Sequence, residues 1–250
     1  MDAARMTSAE RLSELAELAR PVSLAFEQAL PVLAALEPLL PHGNLQRGST
    51  VLVEGGTGLH SLALALAAEA SRAGSWVAAV GIPSLGVASA AELGVVLERL
   101  VLITPPPDSL WPTVAAALID AFDVVLLGWP EVSGSMARRL GMRTRDRKSV
   151  LIPVAAGPGG RNWHEAADVR LAVNNASWQG LGSGYGRLAA RRLEVETGGW
   201  RSPRPRRTVL WLPDDRGRVT AEPRSGRGPY RGPRPVTDPI PFPAASIGIG

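Results

Sequence analysis

The chain has 250 residues, 45% of them hydrophobic and 20% charged, enough for one sizeable α/β core plus extensions. It has no cysteine, which excludes disulfides and thiolate metal sites and fits a cytoplasmic protein. The formal charge is only +4 although the pI is about 10.5, because the base is almost all arginine; Lys148 is the single lysine.

No apolar run reaches the roughly 18 residues of a membrane span. The start, "MDAARMTSAERLSEL", carries acids early and lacks an apolar stretch, so no signal peptide is expected. Residues 8–39 are predicted helical. Ser8 suits an N-cap, and Leu12, Leu15, Ala16 and Ala19 share one helix face, with breaks at Pro21 and Pro31. These residues form an expected N-terminal helical appendage, 1–40.

An alternation follows. Strands are predicted at "STVLVEG", "WVAAVGIP", "LVLIT", "DVVLLG" and "SVLIPVAAG". Helices are predicted at Leu59–Arg72, "ASAAELGVVLERL", "LWPTVAAALIDAF" and "GSMARRLGMRTR". Continuous apolar strands between helices indicate a mostly parallel sheet covered on both faces. Beyond Gly157, "DVRLAV" and "RLAARRLEVET" read as further strands, and "TVLWLPDDRGRVT" as a hairpin. These are expected to extend the sheet antiparallel at one edge. The core domain is thus placed at 41–220. The Pro/Gly/Arg-rich stretch 221–250 is expected to be a disordered tail, since it has little to bury.

The stretch "VLVEGGTGLHSL" has the strand, glycine turn and helix of a phosphate loop, G-x-x-x-x-G-K-[ST]. Gly55, Gly56, Gly58 and Ser61 are its candidate cofactor-binding residues, read as vestigial. With Gly58 as the second motif glycine, Leu59 stands at the lysine position and His60 at the Ser/Thr position. Val53 replaces the first glycine, and Ser61 falls one residue late for a metal. The strand "DVVLLG" ends in Gly128 where an aspartate would bind Mg²⁺, and "WVAAVGIPS" ends in Gly81 to Ser84 with no general-base glutamate. Three charges needed for phosphoryl transfer are absent together.

The order of these pieces resembles the RecA family, with the actinobacterial ImuA-type branch as the best match. It rests on "LPHGNLQRGSTVLVEGGTGLHSLALALAAEASRAGSWVAAVGIPSLGVASAAELGVVLERLVLITPPP", "DVVLLGWPEVSGSMARRL" and "GSGYGRLAARRLEVETGGW", and covers about residues 41–215. It implies a RecA-like fold without RecA chemistry: no enzyme, no catalytic residues, no cofactor. It implies an accessory role in DNA-damage-induced translesion synthesis, in the cytoplasm at the nucleoid. The implied partners are an ImuB-like inactive Y-family polymerase homologue, an error-prone replicative-type polymerase indirectly, and further RecA and single-stranded DNA. The alternatives are a DNA-stimulated ATPase with an atypical loop and a cell-division inhibitor of the SulA type.

Candidate DNA- or partner-binding residues lie in three places. "AAGPGGRNWHEAADVR" supplies Arg161 and Trp163, and "NNASWQGLGSGYGR" supplies Trp178; both are predicted surface loops, with the alternative that their tryptophans pack back on the sheet. The third is the arginine-rich stretch from Arg201, with Arg204, Arg206, Arg207, Arg227 and Arg231, and Tyr230 as a stacking residue. A second basic run, Arg138, Arg139, Arg143, Arg145, Arg147 and Lys148, reads equally as a solvated helix face. His42, His60 and His164 have no second ligand at metal spacing, so no metal site is expected. His60 beside Ser61 is not a nucleophile pair, because neighbours on a helix point apart.

Overall fold

A computed structural model describes residues 29–129, 132–182, 185–199 and 205–222. The predicted tail from residue 223 onward and the N-terminal residues through 28 lie outside the described residues, as do Arg201, Arg204, Arg227, Tyr230 and Arg231, whereas Ala221, expected to open the tail, is in a strand.

Two short strands, β1 (Ala29–Leu30) and β2 (Leu45–Gln46), pair antiparallel. The other strands are β3 (Val51–Gly55), β4 (Val77–Val80), β5 (Leu100–Ile103), β6 (Val124–Leu127), β7 (Val150–Ala156), β8 (Val169–Gly182), β9 (Tyr185–Gly198), β10 (Arg206–Trp211) and β11 (Thr220–Ala221). Among the described residues these nine form one sheet in the order β11-β10-β9-β8-β3-β7-β6-β4-β5. Pairing is parallel from β5 through β8 and antiparallel from β8 through β11; the stretch "DVRLAV", expected to join antiparallel, thus adds to β3 as a parallel strand, because the chain between β7 and β8 returns to the starting end of the strands. The fold is therefore α/β with a large mixed sheet flanked by helices.

The four residues of β4 and of β6 are all buried, as parallel strands with helices on both faces must be. Helices α1 (Leu59–Arg72) and α2 (Val87–Glu92) cover one face, with Val51 and Val53 of β3 pointing toward them. Helices α3 (Trp111–Ala121) and α4 (Gly134–Arg147) cover the other, where Leu52 points. Helix α1 is well suited to burial. Its Leu62, Leu64 and Leu66 and five alanines lie at or near zero exposure, and Gly74 (φ +101°) follows its end.

Three segments differ from the sequence reading. Residues 29–39 are not a continuous helix but β1, a turn, and a 3₁₀ turn at Glu37–Leu39. Pro31 lacks the amide a helix would use, and Leu30, Val32, Leu36, Leu39 and Leu40 gain more by burying against the α1-side core, which also contains Leu193, Leu210 and Leu212. Residues 29–40 thus pack into the core. The predicted helix "ASAAELGVVLERL" is cut short after Glu92, because Gly94 adopts φ +91° and leaves only a 3₁₀ turn at Leu97–Arg99. The predicted loop 174–187 lies largely within the long β8–β9 ladder, which carries Trp178↔Arg191 and Leu181↔Gly186 pairs.

Candidate functional site

The glycine turn follows β3 in the middle of the sheet, at the carboxyl ends of the parallel strands, where open α/β sheets receive ligands. Its glycines answer to packing. A Cβ on Gly55 (φ +128°) would collide with the Val173 carbonyl oxygen of β8, and one on Gly58 (φ +97°) would lie 2.5 Å from Leu193 Cδ2 of β9. Gly58 also caps α1 without a side-chain hydrogen bond, and only Gly56 borders open space. Leu59, at the expected lysine position, is 6% exposed and belongs to the core. Ser61 sits half-buried in the first turn of α1.

Adjacent strands β4 and β6 end in Gly81 and Gly128, whose backbones abut. The Gly128 amide donates to the Val80 carbonyl at 2.9 Å. A Cβ on Gly128 would strike the Gly81 carbonyl and come within 2.8 Å of Ile82 Cγ1, while one on Gly81 would lie 2.6 Å from the Gly128 carbonyl oxygen and strike the Trp111 ring. The carboxylates that phosphate chemistry would need at these strand ends are sterically excluded by the local packing.

Beside this contact opens a cavity of about 440 Å³, lined by His60, Ile82, Ser84, Asp108, Trp111 and Val154 together with neighbouring prolines, glycines and alanines, Ala156 among them. Among these lining residues there is no lysine or arginine. Trp111 stacks on Trp129 with ring centroids 5.4 Å apart and planes 7° from parallel, which stiffens that wall. His60 Nδ1 and Ser84 Oγ lie 3.2 Å apart. Burial disfavours the imidazolium and holds His60 below its ordinary pKa. The cavity therefore presents a histidine biased toward its neutral form, a hydroxyl and one acid on apolar walls. Ser61, the neighbour of His60 in sequence, is turned away from it by the helix. The true neighbour, Ser84, comes 24 positions later from the turn after β4; the signal was in the stretch already noted for its missing glutamate.

A second group was not foreseen. Glu54, near the end of β3, takes His164 Nε2 at 2.9 Å and Arg170 at 3.0 and 3.2 Å. Its carboxylate, only 14% exposed, abuts Gly160, where a Cβ would collide with it. This knot ties the 3₁₀ segment Gly157–Trp163 to β3 and β8.

The predicted contact residues are scattered. Trp163 is 1% exposed in the core beneath α3 and α4, so it is an anchor and not a surface contact: the largest apolar side chain of its segment has taken the buried side. Arg161 is exposed. Trp178 is exposed but lies under the Arg191 guanidinium at 5.0 Å. Arg191 Nε donates to the Leu212 carbonyl at 2.8 Å, and burial lowers its pKa. Arg206 and Arg207 sit opposite Thr197 and Glu196, at the start of β10 and far along the ladder from the Leu181↔Gly186 end; Arg207 is tied to Glu196 at 3.0 Å. The α4 basic run is largely compensated. Arg143 and Arg147 bind Asp120, and Arg138 binds Glu165. The Arg143 hydrogen bond depresses the Asp120 pKa.

Among the described residues, no group of three or more His, Asp or Glu could hold a metal ion, and no helix is long and apolar enough to cross a membrane.

The family model described as the MT3502 N-terminal domain matches residues 38–159, which span the glycine turn, both abutting glycines and the cavity. The chain is also similar to the uncharacterized protein Rv3395c of Mycobacterium tuberculosis, with 31% identity over 187 residues, covering 73% of this chain and 90% of that protein. Identity at that level over nearly the whole relative places the two in one group: the chain belongs to the protein family of Rv3395c.

Proposed function

We propose that the protein is a RecA-like, non-catalytic adaptor of the DNA-damage-induced translesion synthesis machinery that binds an ImuB-like partner. The observation that carries this reading is the pair of strand ends at Gly81 and Gly128, packed too closely to admit a carboxylate, beside a cavity whose lining has no cation. Leu59 in the core supports it too, since a phosphate loop needs a lysine there. The RecA-like part draws support from the strand order and from the glycine turn after the central β3. The partner's identity comes from the sequence resemblance. An adaptor works by raising local concentration and needs no turnover. DNA contact is a secondary expectation, carried by exposed Arg161, Arg206 and Arg207.

Two measurements test it together. Tagged full-length chain should capture an ImuB-like protein from the same cell, and capture should survive Ser61→Ala. Phosphate release from ATP·Mg²⁺ should stay at background with and without single-stranded DNA. The reading fails if no ImuB-like protein is captured, or if DNA stimulates a saturable hydrolysis that Gly56→Asp abolishes; Gly56 suits that control because its Cα faces open space.

A further inference from the structure

The cavity at the carboxyl ends of the strands has a chemistry of its own. Its volume of about 440 Å³ falls in the range of small-molecule sites. Ile82, Trp111 and Val154 offer apolar walls, and the stacked Trp111–Trp129 pair keeps one of them rigid. Polar groups stand among them: His60, Ser84 and Asp108. His60 engages Ser84 through Nδ1, so its second nitrogen is available to a ligand as donor or acceptor according to tautomer. Asp108 can only accept when ionised. A purely aliphatic ligand would leave these groups unused. An anionic one would meet an acid and no compensating cation, because the lining contains neither lysine nor arginine.

We propose that this cavity is a binding site for an uncharged heterocyclic ligand of nucleoside size, held against the Trp111 wall with its polar edge on His60, Ser84 and Asp108, and that it rejects the phosphorylated form of the same ligand. This goes beyond the adaptor reading. An adaptor with an empty cavity would still capture its partner, and a nucleoside-binding protein need not.

Adenosine and ATP·Mg²⁺ form the test pair, since they share a body and differ in charge. Each is titrated into full-length protein by calorimetry, with tryptophan fluorescence as the second readout. Saturable adenosine binding is expected, with ATP·Mg²⁺ at least tenfold weaker. Two variants probe the location. His60→Ala removes the polar contact, and Ala156→Trp fills the mouth from an exposed lining position; both should abolish adenosine binding while thermal melts report intact folding. Absence of adenosine binding, ATP·Mg²⁺ bound as tightly, or binding unaffected in both variants would each overturn the proposal. Partner capture is measured separately, so the two readings fail independently.

Discussion

At the residue scale, small side chains hold positions where chemistry was expected. Gly128→Asp would restore the acid a nucleotide site needs, yet its Cβ would press on Gly81 and Ile82. We expect a loss of about 1–3 kcal/mol from overpacking, read as a lowered melting temperature, with no gain of ATP hydrolysis. Wild-type stability in this variant would contradict the observed contact. Trp163→Ala should cost about 3–5 kcal/mol, as for other large buried aromatics, and chemical denaturation would show it; a surface contact would cost almost nothing. His60 sets a pH dependence. Because burial lowers its native pKa, the unfolded chain takes up that proton more readily. The stabilisation is complete above the ordinary value of about 6.5 and is lost as pH falls from there through the depressed native value. His60→Gln should flatten this slope in melts between about pH 5 and 7, and an unchanged slope would assign it to other groups.

At the element scale, the antiparallel extension is held by side chains that reach between strands. Arg191 joins β9 to the Leu212 carbonyl and covers Trp178. Arg191→Ala should cost about 1.5–3 kcal/mol, the range for a hydrogen bond to a charged group, and hydrogen exchange should quicken in β8 to β10 before the parallel strands respond. Uniform quickening would show that the extension does not open separately. The elements themselves were largely legible. Period and punctuation place α1, α3, α4 and the parallel strands β3 to β7, because continuous apolar runs between helices admit few other folds. The loop read at 174–187 was not legible as strand. Asn174, Asn175, Gly180 and Gly182 carry turn chemistry, yet residues 175–179 pair with β9 and only Asn174 and Gly180 are skipped at the two register shifts, since a partner strand already in place supplies the hydrogen bonds that local propensity would forgo.

At the scale of the whole molecule, residues 29–46 close the α1 side of the sheet. Leu36, Leu39 and Leu45 are essentially unexposed and share a cluster with Leu193 and Leu210, far along the chain. Leu36→Ala should therefore cost about 2–5 kcal/mol and lower the midpoint of the entire unfolding transition; an effect confined to the N-terminal segment would make that segment a separate unit. The candidate site also belongs to this scale. It gathers His60 after β3, Ser84 after β4, Asp108 and Trp111 after β5, and Val154 of β7, so no window of sequence contains it.

The α/β alternation, the parallel core from β3 to β7, the antiparallel strands β9 to β11 and the absence of a lysine and two acids where phosphate chemistry would need them are all written in the sequence, whereas the parallel pairing of β8 on β3 is not. These depend on period, on residue type and on what each strand must bury, all of which are local. Only the tertiary structure decided that Gly81 and Gly128 meet, that Ser84 and not Ser61 faces His60, that Glu54 binds His164 and Arg170, and that Trp163 turns inward. Such pairings are set by which strand ends lie side by side, and parallel order places neighbours in the sheet far apart in the chain.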